Sequence, residues 1–130
     1  MNPSLGIASL SLLVAMGFVS AQAIAQSFPS KPLRMVVPYP PGGGTDVISR
    51  SLAQKMAEDL KQPVLTDNRG GGGQIIGSEI VAKATPDGHT ILLASVTHSI
   101  NPSLAPQLPY DTVRDFTPVS FLGSSPLVLV

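Results

Sequence analysis

Apolar and polar positions fall into blocks with different periods along this chain. Residues 33–38 (LRMVVP) form a nearly continuous apolar run closed by a proline, the pattern of a buried strand. Over 45–60 (TDVISRSLAQKMAEDL) the period changes: Ile48, Leu52, Met56 and Leu60 recur every four positions, while Arg50, Lys55, Glu58 and Asp59 fall mostly elsewhere. That spacing predicts an amphipathic helix. Thr45 suits its N-cap, and Asp46 in the first turn would meet the positive end of the helix dipole. A second strand is expected at 63–66 (PVLT) and a second helix over 75–84, with Ile76, Ile80 and Val81 on its apolar side. The turn TPDGH (85–89) follows, where Asp-Gly supplies a positive φ. Residues 90–95 (TILLAS) read as a third buried strand. A short helix is expected from NPSL, with Asn101 as cap and Pro102 at its first position. FTPVSFLG (116–123) and PLVLV (126–130) are two further strand candidates.

Strand, loop and helix repeated in this order predict an α/β fold with a parallel sheet and helices on its faces. Ligands of such sheets bind beyond the carboxyl ends of the strands, where loops lead into helices. Three segments lie at that edge, and each carries candidate chemistry.

The first is Tyr39–Thr45 (YPPGGGT), which opens a helix with a run of backbone N–H groups bare of side chains. Helix starts of this kind bind carboxylates and phosphates. No lysine follows the glycines, so this is not a P-loop, and neither glycine run in the chain contains G-x-G-x-x-G. A tight strand-to-helix turn without a ligand is the alternative. The second segment, NRGGGGQIIG (68–77), repeats the device. Arg69 would add charge for an anion there, or simply pair with a carboxylate such as Asp67. The third, SVTHSINP (95–102), offers the hydroxyls of Ser95 and Thr97 and the imidazole of His98. No G-x-S-x-G elbow surrounds a serine and no acid completes a triad, so nucleophilic catalysis is not expected. His98 and His89 alone make no metal-ligand set. Hydrogen bonding to a ligand and structural bonding of the loop both remain open for His98.

Composition narrows the partners. Eight basic residues balance eight acidic ones, so no basic field points to nucleic acid or to an anionic membrane. The chain has no cysteine, which excludes disulfides and thiolate chemistry. Residues 5–19 (LGIASLSLLVAMGFV) are apolar and uncharged, and SAQAIAQ follows with an A-x-A cleavage pattern. Export with cleavage after Ala25 is expected, leaving 26–130 as the mature chain, although no lysine or arginine precedes the apolar run. That run is shorter than the ~20 residues of a membrane span. The chain stops at Val130 inside an apolar, strand-like stretch, and is read as the first part of a longer protein.

With these loops in view, the chain resembles the tripartite tricarboxylate transporter substrate-binding proteins, the Bug receptors. The matching stretches are FPSKPLRMVVPYPPGGGTDVISRSLAQKM, PVLTDNRGGGGQIIGSEIVAKATPDGHTILLAS, HSINPSL and LPYDTVRDFTPVSFLGSSPLVLV, which together cover essentially all of 28–130. The resemblance implies a periplasmic solute receptor with a type II, Venus-flytrap fold, here one incomplete N-terminal lobe with the second lobe missing. It implies binding of a small di- or tricarboxylate for delivery to membrane subunits of a tripartite transporter, as a monomer, without cofactor, metal or enzymatic activity. A truncated, non-functional fragment of such a receptor is the other reading. By position, the family's ligand-binding residues correspond to Tyr39, Gly42, Gly43, Gly44, Thr45 and Asp46 in the first loop. They correspond to Gly71, Gly72 and Gly73 in the second, and to Ser95, Thr97 and His98 in the third. Two departures stand out. Gly70 and Gly72 replace the family's usual proline and alanine, and the loss of that proline should weaken binding by roughly 0.4–1 kcal/mol through a looser unbound loop. Ala94-Ser95 stands where Gly-Thr is frequent.

Overall fold

A computed structural model describes residues 27–105 and 107–124 of the chain. The expected export segment with its cut after Ala25, and the strand candidate at 126–130, lie outside the described residues. Three strands and three helices alternate: β1 (Leu33–Val37), α1 (Gly44–Leu60), β2 (Val64–Asn68), α2 (Ile75–Ala82), β3 (Thr90–Leu92) and α3 (Val96–Leu104). A single helical turn, Gly72–Gln74, precedes α2. The elements follow the predicted periodicities closely, and the exceptions are instructive.

The strands form one parallel sheet in the order β2–β1–β3, with Met35 of β1 facing Thr66 on one side and Ile91 on the other. As the central strand, β1 is covered on both faces, which is why it reads as an unbroken apolar run. Met35, Val36 and Val37 are almost wholly buried. Met35 and Val37 belong to the main core with Ala53 and Leu93, and Leu52, Met56, Val64, Ile91 and Tyr39 pack around them. Val36 points to the other face by strand alternation.

Connections that run from β1 outward to β2, then back across β1 to β3, place α1 and α2 on opposite faces under the right-handed crossover rule. The chain therefore leaves the carboxyl ends of β1 and β3 in opposite directions. The crevice between those two strand ends is the topological switch point, where ligands of such sheets bind.

Leu52 and Met56 pack on the core as predicted, but each helix departs from its predicted face near its start. Ile48 is 59% exposed, and the buried side of α1 near its start is Asp46, Ser49 and Ala53. In α2, Ile76 is also exposed, and Gly77 and Ser78 make the contact instead. A Cβ on Gly77 would stand 2.8 Å from both Arg69 O and Pro38 Cβ, so only glycine lets α2 lie this close to the end of β1. The cap of α1 is Gly43 rather than Thr45. The last helix begins well before Asn101: Ser95 caps it, its Oγ accepting from the Thr97 N–H, and Pro102 falls within it. The expected strand at 116–123 is irregular backbone with Val119 and Phe121 more than 80% exposed. Nothing among the described residues pairs with it. No helix among them is long and apolar enough to cross a membrane.

Candidate ligand-binding site

The loop after β1 carries Tyr39 inward and then runs outward through Pro40, Pro41 and three exposed glycines into α1. Gly42 alone of the three has a positive φ, of 88°. Among the described residues, a Cβ built on Gly42, Gly43 or Gly44 would meet nothing within 4 Å, so they leave the space above this helix start open. Among the described residues the Gly43, Gly44 and Thr45 N–H groups have no hydrogen-bond partner, as expected for the first turn of a helix. The Gly42 N–H is different. It donates to Asp46 Oδ2 at 3.0 Å, and Arg50 Nε donates to the same oxygen at 3.0 Å. Asp46 is 4% exposed. The Arg50 hydrogen bond first, and the Gly42 amide next, hold its carboxyl down at about 2. Gly42 and Asp46 thus bind each other and shape the loop through Oδ2, while Asp46 Oδ1 is buried without a partner among the described residues.

The loop after β2 uses its glycines otherwise. Gly71, Gly72 and Gly73 have φ of 123°, 56° and 61°, and Gln74 continues at 74°. A Cβ on Gly71 would lie 2.8 Å from Ile76 Cδ1, and one on Gly70 3.1 Å from the Pro40 ring. This is a run of backbone that L side chains rarely adopt, ending in a buried glutamine held in the left-handed region. Asn101 anchors it from α3, its Nδ2 donating to Gly73 O at 2.9 Å. Arg69 does not reach toward the loop's open side: its Nε donates to Asp67 Oδ1 at 2.8 Å. Arg34 also donates to Asp67. Burial pushes the Asp67 carboxyl up, but the hydrogen bonds from both arginines outweigh it and leave the group below its usual range.

At the switch point the three loops meet. Tyr39 Oη and Ser95 Oγ are 2.7 Å apart, Gln74 Nε2 donates to Tyr39 Oη at 2.6 Å, and Ser95 Oγ donates to Gln74 Oε1 at 3.1 Å. Each member comes from the loop after a different strand. Asn68, at the end of β2, adds a bond from its Nδ2 to Tyr39 O at 3.2 Å.

Of the residues expected to bind a ligand, the structure gathers Tyr39 and Ser95 at the crevice and leaves Gly43, Gly44 and Thr45 with free amides beside it. Thr97 enters through its N–H, as the group that Ser95 caps. His98 turns inward and is buried. Its Nδ1 lies 3.2 Å from Ser78 Oγ, Tyr110 stacks on it at 5.8 Å and Phe116 meets it edge-on at 4.7 Å. Burial lowers its pKa, and its contacts with Ser78, Tyr110 and Phe116 are structural ones. Gln74, Asn101 and Asn68 were not anticipated. Gln74 follows four glycines and opens an apolar helix, and that position was its only signal.

Surface depressions of about 570 Å³ between α1 and β2, and about 310 Å³ around Phe28 and His89, lie away from the loops. The strand-end edge is an open face with main-chain donors, and we place the site there on chemistry.

A parallel α/β unit with glycine-rich helix starts at its switch point defines one lobe of a periplasmic binding-protein fold. The comparisons agree. The solved structure of the periplasmic binding protein BugD is 43% identical, with a TM-score of 0.66 over 68% of this chain and 30% of that one. MatC from Rhodopseudomonas palustris with bound malate is 40% identical, with a TM-score of 0.67 over 71% of this chain and 32% of that one. Protein BugT of Bordetella pertussis is 41% identical across 100% of this chain and 40% of its own length. The tripartite tricarboxylate transporter family receptor model matches residues 48–130. The chain belongs to this receptor family, whose members are periplasmic receptors and not an enzyme class. It spans 30–40% of the length of the curated relatives it matches.

Proposed function

We propose that this chain is the N-terminal gripping lobe (26–130) of an exported receptor that takes a small carboxylate and passes it to the membrane subunits of a tripartite transporter. The observation that carries this reading is the first helix start. Gly43, Gly44 and Thr45 present unused amides into open space beside the switch-point crevice. An ionised carboxylate satisfies such donors and gains from the helix dipole. Gly71, Gly72 and Gly73 line the second side of the same edge. The malate held by MatC makes a dicarboxylate the first ligand to try. Binding by the lobe alone is expected in the millimolar range or weaker, about −4 kcal/mol or less in magnitude. Closure by a second lobe would exclude water and strengthen each contact.

Titration of the chain with malate, citrate and aspartate, followed by amide NMR shifts, tests the proposal. The largest shifts are expected at Gly43, Gly44 and Thr45, with smaller ones at 71–73. Shifts confined to β2, or to the depression around His89, would overturn it.

A further inference from the structure

The hydrogen atoms at the loop junction can be assigned by donor count. Ser95 has one hydroxyl proton, and it goes to Gln74 Oε1. The short contact between Tyr39 and Ser95 therefore has the tyrosine as donor. Gln74 Nε2 then donates to Tyr39 Oη, which closes a one-way ring: Tyr39 to Ser95, Ser95 to Gln74, Gln74 to Tyr39. Bonds arranged head to tail in this way polarise one another. Ser95 Oγ also accepts the Thr97 N–H, so its donor and both of its acceptor sites are filled. The ring ties together the loops after β1, β2 and β3 and involves no other element. It leaves neither hydroxyl proton for a ligand.

We propose that Tyr39, Gln74 and Ser95 form a positioning ring that sets the spacing of the three loops, so that Tyr39 and Ser95 shape the carboxylate site without donating to the carboxylate. Gln74 is the member that gives the ring its direction, since its amide donates to the tyrosine from one atom and accepts from the serine at another, whereas each hydroxyl can rotate to suit its neighbours. The buried glutamine and its left-handed backbone follow from this role: the turn of Gly72–Gln74 delivers the amide to the other two loops. This inference rests on the carboxylate reading for its effect on affinity, but not for the ring itself.

A double-mutant cycle decides it. Malate affinity and urea stability are measured for the unmodified chain, Tyr39→Phe, Ser95→Ala and the double variant, with Ser95→Thr as the conservative replacement. Each single change should weaken malate binding by about tenfold in protein that is still folded, and the double variant by no more than about twice the worse single. Ser95→Thr should return affinity to within about threefold, because it keeps the hydroxyl. Independent losses that multiply to about a hundredfold would mean two separate ligand contacts and would overturn the ring. So would single variants that bind malate as well as the unmodified chain does. If the unmodified chain takes no malate, the carboxylate reading fails while the stability cycle still judges the ring: coupled losses uphold it and additive ones end it.

Discussion

Two glycine runs look interchangeable on paper, and the molecule uses them for opposite ends. In Gly42–Gly44 the missing side chains leave room outside the backbone. No atom of the described residues lies within 4 Å of where any of the three Cβ atoms would stand, and two of the three sit at ordinary φ. In Gly71–Gly73 the missing side chains permit a backbone path, since all three have positive φ and Gly71 is hard against Ile76. The first run leaves its outer side bare, which is what the proposed access needs, and the second serves conformation. A glycine run therefore has to be read together with the torsion angles it adopts before it is assigned to a ligand.

Substitutions can separate these roles, beginning with the largest expected effect. Gly71 sits at φ 123°, ψ 156°, a region that is essentially glycine-only, so Gly71→Ala should cost about 1–3 kcal/mol of stability in urea denaturation. Gly72→Ala places a side chain at φ 56°, with only ordinary contacts around it, and should cost about 1 kcal/mol. That alanine is the family's usual residue, so a much larger loss would mean that this loop has moved away from the family's path. Gly44→Ala should have the opposite sign. Its φ is unremarkable and it lies in a helix, so stability should rise by roughly 0.5–1 kcal/mol. Malate binding should fall all the same, because a methyl group would stand over the free amides. If affinity is unchanged by Gly44→Ala, the access role of the first run is wrong.

The smallest effect concerns how the first run is held. Asp46 has a folded pKa of about 2 against an ordinary 3.8, so its stabilising contribution is complete above pH 4 and is lost as pH falls toward 2. Asp87 is lowered to about 2 as well, chiefly by its hydrogen bond with Lys31, and loses its contribution over the same range. The melting temperature should therefore drop between pH 4 and pH 2. Asp46→Asn should flatten part of that drop and Asp87→Asn another part. An acid profile that neither change alters would mean that the two carboxylates are not held as described.

Much of this fold is legible in the sequence, because β1, α1 and β2 announce themselves through period and through their bounding prolines and glycines. What escapes is burial of small and polar residues. Leu52 and Met56 pack where hydropathy puts them, but Ile48 and Ile76 do not: there the helices approach the sheet through Asp46, Ser49 and Ala53, or through Gly77 and Ser78. Close approach selects residues by size, and a hydropathy pattern carries no such information. The start of α3 is misplaced for a related reason. Pro102 favours a helix start at Asn101, while the actual cap, Ser95, closes the apolar run 90–95 that reads as a strand. For the site, the loops could be located but not their internal bonding. That His98 faces Ser78, or that Gln74 joins Tyr39 to Ser95, depends on pairings across about 20 to 56 positions of chain that no local pattern encodes.

The central place of β1 has one more consequence. Tyr39 follows it by two residues, while its two ring partners hang from the strands on either side. A slip of one residue in either pairing would turn the strand's side chains over and carry Tyr39 out of reach of a partner. The junction thus doubles as an alignment gauge: only a correctly threaded sheet brings its three pieces into register, and a chain that folds amiss cannot close it.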